Sequence, residues 1–104
     1  MEKVITNANF AETINSSKVV MVDFWAVWCG PCRMLTPTVA DIAAEYDGRA
    51  LVAKCNVDDC QQIAMQFSIL SVPTLVFFKN GQPVERLVGV VSKQEIAKII
   101  DGLL

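Results

Sequence analysis

Residues 19–37 read Val-Val-Met-Val-Asp-Phe-Trp-Ala-Val-Trp-Cys-Gly-Pro-Cys-Arg-Met-Leu-Thr-Pro. The apolar run that opens this stretch is continuous and rich in β-branched and aromatic residues, a pattern typical of a strand that is buried on both faces of a sheet. Asp23 lies in the middle of the run. A carboxylate loses hydration there, so it must be paired, protonated or functional. The stretch therefore predicts a central strand that carries one buried acid.

Two cysteines, Cys29 and Cys32, follow this strand directly. Gly30 and Pro31 keep the turn between them compact, so Cys29 falls at the N-terminus of the next helix and Cys32 one turn into it. Unpaired N–H groups and the helix dipole stabilise an anion at that position, which favours the thiolate of Cys29. We therefore predict that Cys29 is a nucleophile and that Cys32 resolves a mixed disulfide formed on Cys29, without a cofactor.

The composition limits the functions that the chain can have. A length of 104 residues with a hydrophobic fraction of 53% predicts a single domain, residues 1–104, with a real core. Apolar stretches are shorter than the roughly 18 residues of a membrane helix, so we expect no membrane partner. A net charge of −2 without a basic cluster argues against nucleic acid and favours a protein partner. The N-terminal sequence lacks a secretory pattern, which makes the cytoplasm the default location.

Histidine is absent from the sequence. This excludes Ser-His and Cys-His hydrolases and every histidine-containing metal site. Proton transfer must therefore use carboxylates, lysines or thiols.

The pattern of apolar residues and turns predicts the order β-α-β-α-β-α-β-β-α. A strand at residues 2–5 precedes a helix that ends near residue 15 and is capped by Thr6 or Asn7. The helix after the two cysteines is amphipathic, about 15 residues long, and kinked rather than ended by Pro37. It leads by a right-handed crossover to a buried strand at 50–57, parallel to the central strand.

The second half of the chain predicts a hairpin between two helices. Asp58 and Asp59 supply caps for a short helix that ends near residue 67. Asn-Gly at 80–81, between the apolar run at 75–78 and the segment at 83–88, predicts two antiparallel strands. A capping box at 92–95 opens an amphipathic closing helix.

Lys54 is the odd residue in the strand at 50–57. Because neighbouring central strands can bring side chains together, Lys54 is the natural partner for Asp23.

The whole chain resembles the thioredoxin family, on the basis of Trp-Cys-Gly-Pro-Cys at 28–32, Val-Asp-Phe-Trp-Ala at 22–26 and Val-Pro-Thr at 72–74. The resemblance implies the α/β thioredoxin fold, with a central mixed sheet of about five strands flanked by about four helices. It also implies a general protein-disulfide reductase that cycles between a Cys29/Cys32 dithiol and a disulfide. Its partners would be a thioredoxin reductase, linked to NADPH or ferredoxin, and disulfide-containing client proteins, and it would act as a monomer.

The same resemblance implies roles for individual residues. Asp23 would accept the proton of Cys32, and Lys54 would tune Asp23. Pro73 would follow a cis peptide bond opposite the dithiol, and the backbone of Val72 would pair with an extended substrate chain. The border of this contact patch would be formed by Trp28, Gly30, Pro31 and Gly89.

Cys55 and Cys60 depart from the family pattern, and the residues leave their state open. Cys55 packs most simply as a small hydrophobe, whereas a disulfide with Cys60 needs a turn that brings the α-carbons within about 7 Å. A different alternative is a zinc domain that uses all four cysteines, although we expect no metal because Pro31 would stiffen the knuckle. A redox-independent binding role for the patch around Trp28 and Pro73 is a third alternative.

Overall fold

The computed structural model describes residues 2–104, which form five strands and four helices in the predicted order. The elements are β1 (Glu2–Val4), α1 (Phe10–Asn15), β2 (Val19–Trp25), α2 (Gly30–Glu45), β3 (Leu51–Asn56), α3 (Gln61–Gln66), β4 (Thr74–Lys79), β5 (Gln82–Val88) and α4 (Lys93–Leu103). No helix within these residues combines the length and the apolar character that a membrane crossing requires.

The five strands form one mixed sheet in the order β1-β3-β2-β4-β5. β3 runs parallel to both β1 and β2, whereas β4 is antiparallel to both β2 and β5. The predicted parallel pair and the predicted hairpin are both confirmed. β2 lies in the centre of the sheet, and its first six residues are all buried.

Each face of the sheet has its own apolar core. Alternate residues of β2 point to opposite faces. Val19 and Met21 join residues of α2 and α4 on one side, which we call the α2 face. Val20 and Val22 join residues of α1 and α3 on the other side, the α1 face. The double burial explains why the sequence of β2 is apolar without alternation.

Two helix caps differ from the prediction. α1 begins at Phe10 rather than near Thr6, because Thr6 and Asn9 stabilise a turn before the helix. The Thr6 N–H donates to Asn9 Oδ1 over 2.8 Å, and the Asn9 N–H donates to Thr6 Oγ1 over 3.2 Å. The side chains of Thr6 and Asn9 therefore bond within the turn, and no side chain caps α1.

Asp58 and Asp59 do not cap α3, which begins at Gln61 with Cys60 in the N-cap position. Asn56 holds the preceding turn, with its side chain accepting from the Asp58 N–H over 3.0 Å and its carbonyl accepting from Cys60 N. The Asp58 carboxylate instead bonds to Trp28. The other boundaries agree closely, since α2 continues through Pro37 and the Ser92–Glu95 capping box is present.

The hairpin between β4 and β5 depends on two residues with positive φ, Asn80 at 52° and Gly81 at 80°. Both central residues of a type I′ turn need this conformation, and its twist matches that of the flanking strands. A Cβ on Gly81 would also collide with the side chain of Asn15. The turn therefore favours glycine for its backbone angle, and a Cβ there would also force the exposed Asn15 side chain to move.

We predict that Gly81→Ala lowers the free energy of unfolding by about 1 kcal/mol or more, because it adds left-handed strain and this collision. Gly102→Ala is the matched control. A Cβ there meets no atom of residues 2–104 within 4 Å, and alanine in a helix stabilises by up to about 1 kcal/mol over glycine. Urea denaturation of both variants measures the difference, and equal midpoints would contradict the prediction.

Candidate active site

Cys29 and Cys32 are joined in a disulfide at the start of α2, with their α-carbons 5.3 Å apart. Cys29 is the N-cap residue, and its sulfur accepts a hydrogen bond from the Cys32 N–H over 3.1 Å. The predicted position of Cys29 at the helix N-terminus is confirmed. A thiolate on Cys29 in the reduced protein would be stabilised by the same N–H group and by the helix dipole.

Burial does not distinguish the two cysteines, because Cys29 is 4% exposed and Cys32 3%. The difference between them lies in the backbone. Cys29 precedes the helix with extended φ and ψ, whereas Cys32 lies within its first turn. The helix terminus therefore favours an anion on Cys29 in particular.

The loop before β4 lies against the disulfide. The Val72 carbonyl oxygen is 3.6 Å from Cys29 Sγ, and the Val72–Pro73 peptide bond is cis. Gly89, with φ of 90°, donates its N–H to the Pro73 carbonyl over 2.9 Å. The structure thus brings Val72, Pro73 and Gly89 together on the side of the sheet where the dithiol lies.

Trp28 lies on the other side of the loop and is 68% exposed. A groove of about 140 Å³ runs between Trp28 and Val72, lined also by Val57, Ile69, Leu70 and Ser71. Gly30 and Pro31 open α2 beside it, Gly30 half-buried and Pro31 exposed.

Asp58 is a site residue that the sequence reasoning missed. Its carboxylate accepts a hydrogen bond of 2.9 Å from the Trp28 indole N–H, which fixes the orientation of the exposed ring. The signal in the sequence was that Asp58 follows β3 as Trp28 follows β2. Since parallel strands end at the same edge of the sheet, the two residues had to lie close together.

Asp23 is 2% exposed and lies on the α2 face, the side of the helix that carries Cys32. Within residues 2–104 its Oδ1 atom has no hydrogen-bond partner. Burial raises the pKa of Asp23 from 3.8 to about 6, Lys54 opposes the rise, and Glu2 adds to it. A carboxyl group with this pKa can take up or release a proton near neutral pH.

Lys54 is beside Asp23 but is not its ion-pair partner. The two residues face each other in the register of β2 and β3. The sole salt bridge within 4.0 Å in the described part of the chain is Lys93–Glu45, elsewhere on the surface. The Lys54 ammonium instead lies 4.8 Å from the centre of the Trp25 ring, a cation–π arrangement that competes for the lysine charge. Lys54 therefore offsets only part of the effect of burial, and the pKa of Asp23 stays raised.

Cys55 and Cys60 are free thiols, both fully buried in the core of the α1 face. The prediction that Cys55 packs as a small hydrophobe is confirmed, and Cys60 packs in the same way, with its thiol 3.6 Å from the Ile5 carbonyl oxygen. Burial raises the pKa of Cys55, and the neighbouring Cys60 raises it further. The active-site cysteines belong to a separate cluster, so the four sulfurs of the zinc alternative are not brought together. No group of three or more metal-ligating side chains occurs between residues 2 and 104.

Similarity to known proteins identifies the family. The Thioredoxin family model matches residues 1–102. The chain belongs to the thioredoxin family. It is 44% identical over 97 residues to the thioredoxin of Staphylococcus haemolyticus (strain JCSC1435), covering 93% of this chain and 92% of the relative. It is 48% identical over 97 residues to thioredoxin 2 of Chlorobaculum tepidum, covering 92% of this chain and 89% of that protein.

A solved structure agrees with these relatives. A mutant thioredoxin from Halobacterium salinarum NRC-1 superposes with a TM-score of 0.92 at 35% identity, covering 98% of this chain and 89% of that one. With the Cys29–Cys32 disulfide in place, the chain is a thiol-disulfide oxidoreductase, a thioredoxin that reduces protein disulfides. Thioredoxins act with a thioredoxin reductase and with disulfide-containing substrates.

We predict that Asp23→Asn stabilises the oxidised protein at neutral pH. Because the folded pKa, about 6, exceeds the unfolded value of 3.8, the ionisation penalty is absent below pH 3.8 and grows until about pH 6. A shift of this size corresponds to about 3 kcal/mol. The gain in the free energy of unfolding should therefore approach that figure at pH 8 and vanish at about pH 3.5.

Denaturant midpoints at both pH values measure the gain. Glu12→Gln, an exposed residue of α1, is the control for the loss of one negative charge. An Asp23→Asn variant no more stable than wild type at pH 8 would show that the carboxylate is compensated in solution.

Proposed function

We propose that this thioredoxin reduces its clients in two exchange steps, with Cys29 as the attacking residue, Cys32 as the resolving residue and Asp23 as the proton acceptor. The observation that carries the proposal is the hydrogen bond from the Cys32 N–H to Cys29 Sγ at the helix N-terminus. It supports thiolate formation on Cys29 rather than on Cys32.

The first step forms one bond and breaks one. The Cys29 thiolate attacks a sulfur of the client disulfide, a mixed disulfide forms, and the other client sulfur leaves as a thiolate. In the second step Cys32 loses its proton to Asp23 and attacks Cys29 Sγ. The Cys29–Cys32 disulfide forms, and the second client thiolate leaves, so two electrons pass to the client.

Asp23 suits the proton transfer because its pKa of about 6 lies near the working pH. The chain contains no histidine that could replace it. In this proposal Lys54 tunes Asp23 through its charge rather than through an ion pair.

The client chain binds across the groove between Trp28 and Val72. We propose that the client lies extended beside the backbone of Val72, because the Val72 carbonyl is 3.6 Å from the sulfur that must carry out the attack. Pro73 faces the dithiol and Gly89 borders the same contact patch, and the hydrogen bond from the Gly89 N–H to the Pro73 carbonyl supports this arrangement. Gly30 and Pro31, at the start of α2, border the same contact patch.

The proposed reduction cycle also implies a partner and a cellular location. The disulfide must be reduced again after each turnover, and we propose a thioredoxin reductase that draws its electrons from NADPH or from ferredoxin. Residues 1–104 act as one domain and as a monomer. A dithiol that has to be kept reduced suits the cytoplasm, where thiols are maintained in that state.

We predict that Cys29→Ser abolishes reduction of a disulfide-containing protein, because no thiolate attacks. Cys32→Ser should instead accumulate a mixed disulfide on Cys29, because attack occurs without resolution. Insulin reduction followed by turbidity, and intact-mass analysis of the adduct, measure the two outcomes. Turnover by the Cys29→Ser variant, or adducts on Cys32 in place of Cys29, would reverse the assignment.

We predict that the double variant Cys55→Ala, Cys60→Ala keeps near-native turnover, since both thiols lie on the α1 face, away from the dithiol. Cavities left by the lost sulfurs should lower stability by about 1–3 kcal/mol. Turnover measured well below the melting temperature separates the two effects. A loss of activity in the folded variant would mean that the second pair takes part in electron transfer.

A further inference from the structure

Two buried carboxyl oxygens lack a hydrogen-bond partner within residues 2–104: Asp23 Oδ1 on β2 and Glu2 Oε1 on β1. A buried carboxyl oxygen without a hydrogen-bond partner is costly, and each such atom needs an explanation. Asp23 is buried as a whole residue, whereas Glu2 is half-buried. The mechanism uses Asp23. It leaves Glu2 without a role.

Strand register places both acids on the α2 face. Glu2 pairs with Val52 of β3, a member of the α2-face core, and Lys54 lies two residues further along the same strand. Lys54 in turn pairs with Asp23 of β2. Since side chains two residues apart share a face, Glu2, Lys54 and Asp23 all point to the same side of the sheet. The lysine lies on the strand between the two acids.

The other described elements packed around Asp23 add no further charge to this group. β4 presents Leu75 and Phe77, which belong to the apolar core. α2 contributes the buried Cys32. One ammonium group thus faces two carboxylates, and neither acid forms an ion pair with it within 4.0 Å in the described residues.

We propose that Glu2 is a positioning residue for the resolving step, because its carboxylate competes with Asp23 for the charge of Lys54 and leaves Asp23 free to take up the proton of Cys32. The inference rests on the proposed function, in which Asp23 is that acceptor. Glu2 acts through Asp23 and Lys54, without touching the reacting sulfurs.

The single positive charge of Lys54 lies between the carboxyl groups of Asp23 and Glu2. If Lys54 were wholly available to Asp23, it would stabilise the carboxylate and make it a weaker base. Burial is the main cause of the raised pKa of Asp23, Lys54 opposes it, and repulsion by the Glu2 charge adds to it. In this proposal Glu2 also draws on the Lys54 ammonium and so weakens its attraction for Asp23. Trp25 holds the ammonium from a third direction, at 4.8 Å from its ring centre. Together with burial, the Glu2 charge keeps Asp23 basic enough to act near neutral pH.

The test compares Glu2→Gln, which keeps size and removes the charge, with Glu12→Gln, which removes the same charge from α1 on the opposite side of the sheet. The Asp23 carboxyl carbon is titrated by NMR in the full-length protein with ¹³C-labelled aspartate. The rate of mixed-disulfide resolution is followed in single turnovers from pH 5 to pH 9. Glu2→Asp tests whether a charge at this position is sufficient.

We expect Glu2→Gln to lower the Asp23 titration midpoint and to move the pH profile of resolution downward by the same amount. Glu12→Gln should change neither the Asp23 titration midpoint nor the pH profile. Glu2→Asp keeps the negative charge, so its Asp23 midpoint should lie between those of Glu2→Gln and the wild type. An unchanged Asp23 midpoint in Glu2→Gln overturns the inference. An unmoved rate profile despite a moved midpoint overturns it too, because Glu2 would then act on the charge without acting on the reaction.

Asp23→Asn in the same assay separates this inference from the proposed function. If its resolution rate equals that of wild type, Asp23 is not the acceptor, and the proposed mechanism fails together with the role of Glu2. If resolution slows in Asp23→Asn while Glu2→Gln has no effect, the mechanism stands and only the role of Glu2 falls.

Discussion

The structure depends on the burial of β2 on both of its faces. A strand packed on both faces has no solvent-exposed side on which a polar residue could be placed, so one core forms on the α2 face and another on the α1 face. The end of this strand leads into the turn that carries the dithiol, so the packing of β2 fixes the place where α2 and its two cysteines begin. Asp23 is the one carboxylate in that strand, and the same packing raises its pKa.

Most of the fold could be predicted because its signals are local. A continuous apolar run gave β2, the Asn-Gly turn gave the hairpin, and the capping box gave α4. The position of Cys29 followed in the same way, from a turn that opens a helix. The cis peptide bond between Val72 and Pro73 could not be predicted from local signals, because sequence patterns alone favour a trans bond. Only the resemblance to thioredoxins indicated cis.

What could not be predicted depends on competition between partners that are distant in sequence. Thr6 and Asp58 are good cap residues, but neither caps a helix. The Thr6 hydroxyl accepts a hydrogen bond from the Asn9 N–H, and the Asp58 carboxylate accepts one from the Trp28 indole. Lys54 was matched with Asp23 correctly as a neighbour in the sheet, yet the sequence did not reveal that the Trp25 ring would compete for the ammonium. In each case the residue type was suitable, and the geometry of a third group decided the outcome.

The sheet also separates the four sulfurs into two populations with different access to solvent reagents. Cys29 and Cys32 keep a small exposed area, 4% and 3%, while Cys55 and Cys60 on the opposite face of the sheet have none. A thiol reagent can reach the second pair only when the sheet opens. The alkylation rate of Cys55 and Cys60 therefore measures how often the core opens under native conditions.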